Sequence, residues 1–268
     1  MSRVGKFNLF LFSLTVIAFI FVMVSRNKEV VTSDLPKPVP VVKPSVEIVE
    51  QAESIFGYTS VGETPPGESE TVHITKAITI INPHDFPVTI GGVSNDTYDT
   101  SLSLISSEDR FGFVPRRTIA PGEMIRIADV NYLSKISFRE DYGSSEAKFE
   151  VYKNEGNFVP YTNLDTISTS YRFKDADPGN TYLMIDATFS NPSSNNVDTT
   201  ELQFVVYFYD QNENLIGGDT EQRITYKPER IRPGDQKEIS FEGALLGREF
   251  SRNIGSIKVF AGCDRCRA

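Results

Sequence analysis

The chain has 268 residues, with 27 Lys and Arg against 36 Asp and Glu and a formal net charge of −9. Without a stripe of clustered bases to displace phosphate counterions, nucleic acid is excluded as a partner and anionic lipid headgroups are disfavoured; Arg116-Arg117 and Arg265-x-Arg267 are isolated pairs. Two histidines and two cysteines leave little material for a catalytic, metal or cofactor centre, and none is expected.

From Phe7 the sequence reads FNLFLFSLTVIAFIFVMV without a charge, interrupted only by Asn8, Ser13 and Thr15. Crossing a hydrocarbon core takes about 20 mostly apolar residues in a helix. The run is longer than the apolar part of a typical cleaved signal, and Met23-Val24-Ser25 is a poor cleavage site. Residues 1–6 are therefore expected to be a short cytoplasmic tail and 7–25 a retained transmembrane anchor. All 36 acidic residues lie beyond Lys28, and long domains translocate largely regardless of charge. An extracytoplasmic location follows for the rest of the chain, at a cell surface or in a periplasm.

Residues 26–70 read as an extended linker. Pro36, Pro38, Pro40 and Pro44 punctuate PKPVPVVKP, which favours a semi-rigid polyproline II spacer. A short helical turn is expected near Glu47–Phe56, and GETPPGESE at 62–70 reads as flexible. Lys-Pro alternation after a single anchor resembles the envelope-spanning energy transducers of the TonB type, and the resemblance covers about the first 45 residues.

Beyond Thr71 the sequence repeats itself. Asn82-Pro83 follows one alternating run and Asn191-Pro192 another; IAPGEMIRI at 119–127 matches IRPGDQKEI at 231–239; KFEVY at 148–152 matches SIKVF at 256–260. The offsets are nearly one value, so two related domains are expected, 71–155 and 163–268. Both show short alternating runs rich in Val, Ile, Phe, Tyr and Thr, bounded by Asn-Pro and Pro-Gly turns. That pattern predicts two tandem antiparallel β-sandwiches of immunoglobulin-like architecture. Neither has the Trp or inter-sheet disulfide of antibody domains.

In the second copy Val206-Tyr207-Phe208-Tyr209-Asp210 precedes the turn QNENLIGG and the Pro233-Gly234 turn. With these features residues 180–262 resemble the FxLYD domain, a small sandwich of prokaryotic, often membrane-anchored surface proteins; Val206 stands where the family name has Phe. The resemblance implies a fold and says little about function.

If Leu202, Phe204, Val206 and Phe208 face the core, Val205, Tyr207 and Tyr209 share the opposite face. These three are the candidate interaction face, because tyrosine is favoured at binding surfaces; the competing reading packs them against the first sandwich or a covering loop. Asp210-x-Asn212-x-Asn214 opens like a calcium loop, with Glu221 at the twelfth position. Leu215 occupies the place that needs Gly, so a polar hairpin turn is expected. Asp175, Asp177 and Asn180 form a second oxygen-rich group, read as turn chemistry. His73 lies in a strand and His84 in a turn, neither placed as a base. The sequon Asn95-Asp96-Thr97 is read as incidental. Finally, Cys263 and Cys266 sit in CDRC with no room for the helix a redox motif needs. A local disulfide is expected in an oxidising compartment, with zinc shared between two chains left open. The whole predicts a non-enzymatic, single-pass surface or envelope protein whose sandwiches bind a protein partner or self-assemble. The alternative is an envelope-spanning transducer or transport-complex subunit.

Overall fold

A computed structural model describes residues 43–58, 71–108, 117–156, 161–177, 179–222 and 229–263. The expected tail, the anchor, the Pro-rich run through residue 42 and Cys266 lie outside these residues. Among the described residues no helix is long and apolar enough to cross a membrane. The alternating runs become strands, and the architecture is mainly β with antiparallel sheets.

The first repeat is a sandwich of two sheets. One has the order β1 (Glu47–Tyr58), β2 (Thr71–Ile81), β6 (Met124–Tyr132). The other is centred on β3 (Val88–Asp99), with β7 (Tyr142–Lys153) on one side and β4 (Leu104–Glu108) and β5 (Arg117–Ile119) on the other. Their facing sides bury Ile78, Ile80, Val88, Ile90, Ile119 and Ile125. Every second residue points inward, as the pleat requires.

Residues 47–58, expected to be linker with a helical turn, are a strand. β1 pairs with β2 from Glu47↔Ile81 to Tyr58↔Thr71, and Phe56 is buried. Its sequence EIVEQAESIFGY lacks a sustained period-2 pattern because a bulge between Ile48 and Glu50 breaks the alternation. The first sandwich therefore begins at Glu47, not at Thr71.

The second repeat has the same plan. A sheet of β8 (Thr162–Asp177), β9 (Asn180–Ser190) and β14 (Gln236–Gly247) faces a sheet of β12 (Leu215–Gln222), β11 (Gln203–Tyr209) and β15 (Ser256–Cys263). β8 belongs to both: Thr162–Leu164 pair with β15, and the remainder pairs with β9 around a bulge between Thr166 and Ser168. Between the sheets lie Leu183, Ile185, Phe189, Phe204, Val206 and Phe208, all essentially inaccessible. A short pair, β10 (Val197–Asp198) with β13 (Arg230–Ile231), and a six-residue helix α1 (Arg248–Asn253) complete the fold.

The sequence repeat is a structural repeat down to single hydrogen bonds. Asn82 and Asn191 are both fully buried. Asn82 Nδ2 donates to the carbonyls of Phe86 (2.9 Å) and Ile119 (3.1 Å); Asn191 Nδ2 donates to those of Asn195 (2.7 Å) and Ile231 (2.9 Å). Each Asn carbonyl accepts from the glycine of its Pro-Gly turn, Gly122 at 3.0 Å and Gly234 at 2.8 Å. Both glycines have positive φ, 70° and 78°, where a side chain is strained. One Asn thus ties two distant turns together in each sandwich.

Candidate functional site

Position in the fold decides what the candidate interaction face can do. β2 is buried on both sides. Ile74, Ile78 and Ile80 face the first core, while Thr75, Ala77 and Thr79 face the second sandwich. Against them lie β11 and β12. Tyr207 is 1% exposed and Tyr209 8%, clustered with Ala77 and Ala128, with Val205, Leu215 and Phe260 packed around them. The Tyr207 hydroxyl bonds Thr79 Oγ1 at 3.1 Å, and burial pushes its ionisation up. Tyr207 and Tyr209 are therefore a contact within the chain and present no open surface to a partner, and the half-buried Val205 packs beside them. An apolar face on a central strand has two possible occupants, and the first sandwich takes it.

The approach is close because β12 carries two adjacent glycines there. Thr75 Oγ1 donates to the Gly218 carbonyl at 2.7 Å, and the Gly218 amide donates back to the same oxygen at 2.8 Å. Thr220 Oγ1 donates to the Ala128 carbonyl at 2.6 Å. A Cβ on Gly218 would lie 2.4 Å from the Val206 carbonyl oxygen and 2.8 Å from Ala128 Cβ. His73 sits at the end of this junction, ring centroids 5.7 Å from Phe56 and 5.5 Å from Tyr132; burial lowers its pKa to about 4, so it is neutral at physiological pH.

On one flank, edge strands of both sandwiches lie side by side and enclose a cleft of about 700 Å³. β1 supplies Glu53, Ser54 and Ile55, β7 supplies Tyr142, and the hairpin before β12 supplies Asp210, Gln211 and Asn212. Ser54 Oγ donates across to the Ile216 carbonyl at 2.6 Å. Behind Glu53 is a polar cluster that neither strand pattern nor motif announced. Lys76, 2% exposed, contacts Glu53 at 3.1 Å, Asn95 Oδ1 at 3.2 Å and Ser145 Oγ at 2.6 Å. Burial pushes the Glu53 carboxyl up, but hydrogen bonds from Ser145 and Tyr142 and the charge of Lys76 outweigh it and hold the pKa below the ordinary value. On Lys76 burial prevails over Glu53, and its ammonium is less basic than in water. The signal available in the sequence was Lys76 itself, a charge on the apolar side of an alternating strand.

Both carboxylates of the cleft are thus occupied. Asp210 Oδ1 accepts from the Asn212 and Asn214 amides at 2.8 and 2.9 Å, so this stretch is the hairpin turn expected of it. By contrast the side chains of Gln211, Arg252 and Asn253 line the cleft without a hydrogen-bond partner among the described residues.

The remaining candidates have structural work. Asp175 pairs with Arg248 at 2.8 Å, and Asp177 accepts from Gly179 N and Asn180 Nδ2, both at 2.9 Å. His84 accepts from the Ser45 amide at 3.0 Å and stacks on Phe86. Asn95 of the sequon is 4% exposed, which leaves no room for a glycan. Cys263 is wholly buried at the end of β15. Sequence reasoning passed over a carboxyl pair on β12, where Asp219 is buried and accepts from the Ala244 amide at 2.8 Å. Glu221 beside it is pushed up to about 8, by burial first and then by the Asp219 charge.

No known protein family matches this chain, and no curated protein does. Among solved structures it is similar to a Bacteroides uniformis beta-glucuronidase 2, at 9% identity and a TM-score of 0.22. The likeness covers 76% of this chain and 28% of that one.

Proposed function

We propose that this is a non-enzymatic, single-pass membrane protein of a cell surface or envelope, carrying two immunoglobulin-like sandwiches that bind a protein partner. The carrying observation is the flank cleft, where the amides of Gln211 and Asn253 and the Arg252 guanidinium, unpaired among the described residues, lie beside a strand edge that only β2 covers there. In this reading residues 7–25 anchor the chain and the Pro-rich run holds the sandwiches away from the bilayer. The second sandwich is of the FxLYD type. Cys263 and Cys266 form a small disulfide closing the last strand; burial of Cys263 supports it, and among the described residues no cysteine is free.

Crosslinking and affinity capture of the intact protein from its native membrane test this reading, combined with protease shaving of whole cells or spheroplasts. A specific protein partner and sandwiches accessible from outside are expected. Sandwiches protected from external protease, or a mature chain beginning near Arg26, would contradict it. The alternative is a transducer coupled through its anchor, favoured by Lys-Pro alternation after the apolar run. It requires loss of function when Asn8, Ser13 and Thr15 are changed together to Leu, whereas a simple anchor tolerates the change.

A further inference from the structure

The partner's own conformation can be read from β1, on the footing of the binding role proposed above. β1 is the edge of its sheet; among the described residues only β2 pairs with it. An open edge is a template for another strand, and proteins ordinarily guard it with Lys, Pro or alternating charge. Two other long edges follow that rule. β7 shows Glu146, Lys148 and Glu150 to solvent, and β14 shows Glu238 with Lys237 and Glu242 beside it. β1 does not. It has no Lys or Pro, and at its bulge Ile48 and Val49 are 41% and 53% exposed side by side. Around them Glu47 and Glu50 are exposed and carry no ion pair among the described residues. Downstream, the same strand enters the cleft at Glu53–Ile55, where the side-chain amides of Gln211 and Asn253 have no hydrogen-bond partner among the described residues.

The geometry points to β1 as a strand-capture site for an extended peptide segment of alternating basic and aliphatic residues. The segment lies along Glu47–Ile55, its bases meeting Glu47 and Glu50. Its aliphatic side chains cover Ile48 and Val49, and its end is hydrogen-bonded by the cleft amides. Main-chain pairing supplies affinity in this mode and side chains supply selectivity. A second copy of β1 fits poorly, because its own Glu47 and Glu50 would oppose like charges.

The test uses the intact chain in phosphatidylcholine nanodiscs and the peptide acetyl-(Lys-Val)4-amide. The equally charged acetyl-(Lys-Pro)4-amide lacks every second ladder donor and serves as control. Amide hydrogen exchange should slow at least tenfold within residues 47–55 on adding the Lys-Val peptide, and not with the control. The double variant Ile48→Lys, Val49→Lys should bind the Lys-Val peptide at least tenfold more weakly at an unchanged melting temperature. Equal binding of both peptides, protection on β7 or β14 instead, or undiminished binding by the double variant would overturn strand capture. Native-membrane capture separates the two levels. If the wild type still captures a partner while strand capture fails, the binding role stands alone; if it captures none, both fall.

Discussion

Asn82 and Asn191 show how much one buried side chain can organise. Each lies in a loop after a strand, yet its side-chain amide and its backbone reach the opposite turn, and its own N–H and carbonyl are both paired there. Replacing Asn191 by Ala removes two donors to buried carbonyls and costs about 2–3 kcal/mol by denaturant titration; Asn82→Ala should cost a similar amount. This element was legible, because Asn-Pro and Pro-Gly recur at matching offsets. The cluster around Lys76 was not, since its place on the apolar side of the strand hints at burial but only the pairing of β1 with β2 brings Glu53 beside it. Glu221 was equally hidden, its raised pKa arising first from burial and then from the Asp219 charge two residues away. Because its folded pKa of about 8 exceeds the ordinary carboxyl value of 4.5, the folded state holds a proton that the unfolded state releases. Stability is then greatest near pH 4.5 and below as far as this group is concerned, and is lost as pH rises to about 8. Partial exposure reduces the full linkage, leaving roughly 2 kcal/mol across that interval. Glu221→Gln should flatten the pH dependence and raise the melting temperature at pH 8; an unchanged profile would show that Glu221 does not carry the proton in the folded state.

At the level of elements, alternation located most strands and missed β1. A bulge shifts the phase of its side chains, so β1 lacks the half-polar signature of an exposed sheet. Gly217 and Gly218 were read as the end of a turn, following the Asn-rich hairpin. They are instead strand residues where β2 comes within hydrogen-bonding distance, a use of glycine that a local reading does not separate from a turn. Gly218→Ala places a methyl against the Val206 carbonyl and Ala128. It should destabilise the protein by about 2 kcal/mol, measured by urea unfolding, with the loss greatest in β2 and β12 amide protection. A neutral substitution would mean that the two sheets can separate freely.

For the whole molecule the repeat has a direction. The β1-β2-β6 sheet of the first sandwich packs on the β12-β11-β15 sheet of the second, so equivalent sheets do not meet. Such a heterologous contact could continue into a filament if the outer sheets were alike in chemistry. They are not. The outward side of β7 carries Glu146, Lys148 and Glu150, with Lys148 paired to Asp96 on β3; the outward side of β9 carries Asp186, paired to Arg172 at 2.7 Å and bonded to Ser240 of β14. Charged outer faces of this kind disfavour continued stacking, as on the capping repeats of longer solenoids. What the sequence left open was whether the tyrosine face met the first sandwich or a partner, because a half-apolar strand fits either. The described residues from Pro44 onward cluster as one compact unit, and the tyrosines are the seam.

Differential scanning calorimetry of the intact protein tests that seam most directly. A single transition is predicted, with calorimetric and van't Hoff enthalpies in agreement, and Thr79→Lys together with Tyr207→Ala should split it into two. Two separate transitions in the wild-type protein would contradict the account, because they would mean that each sandwich stands without the other and that Val205, Tyr207 and Tyr209 are free for a partner after all.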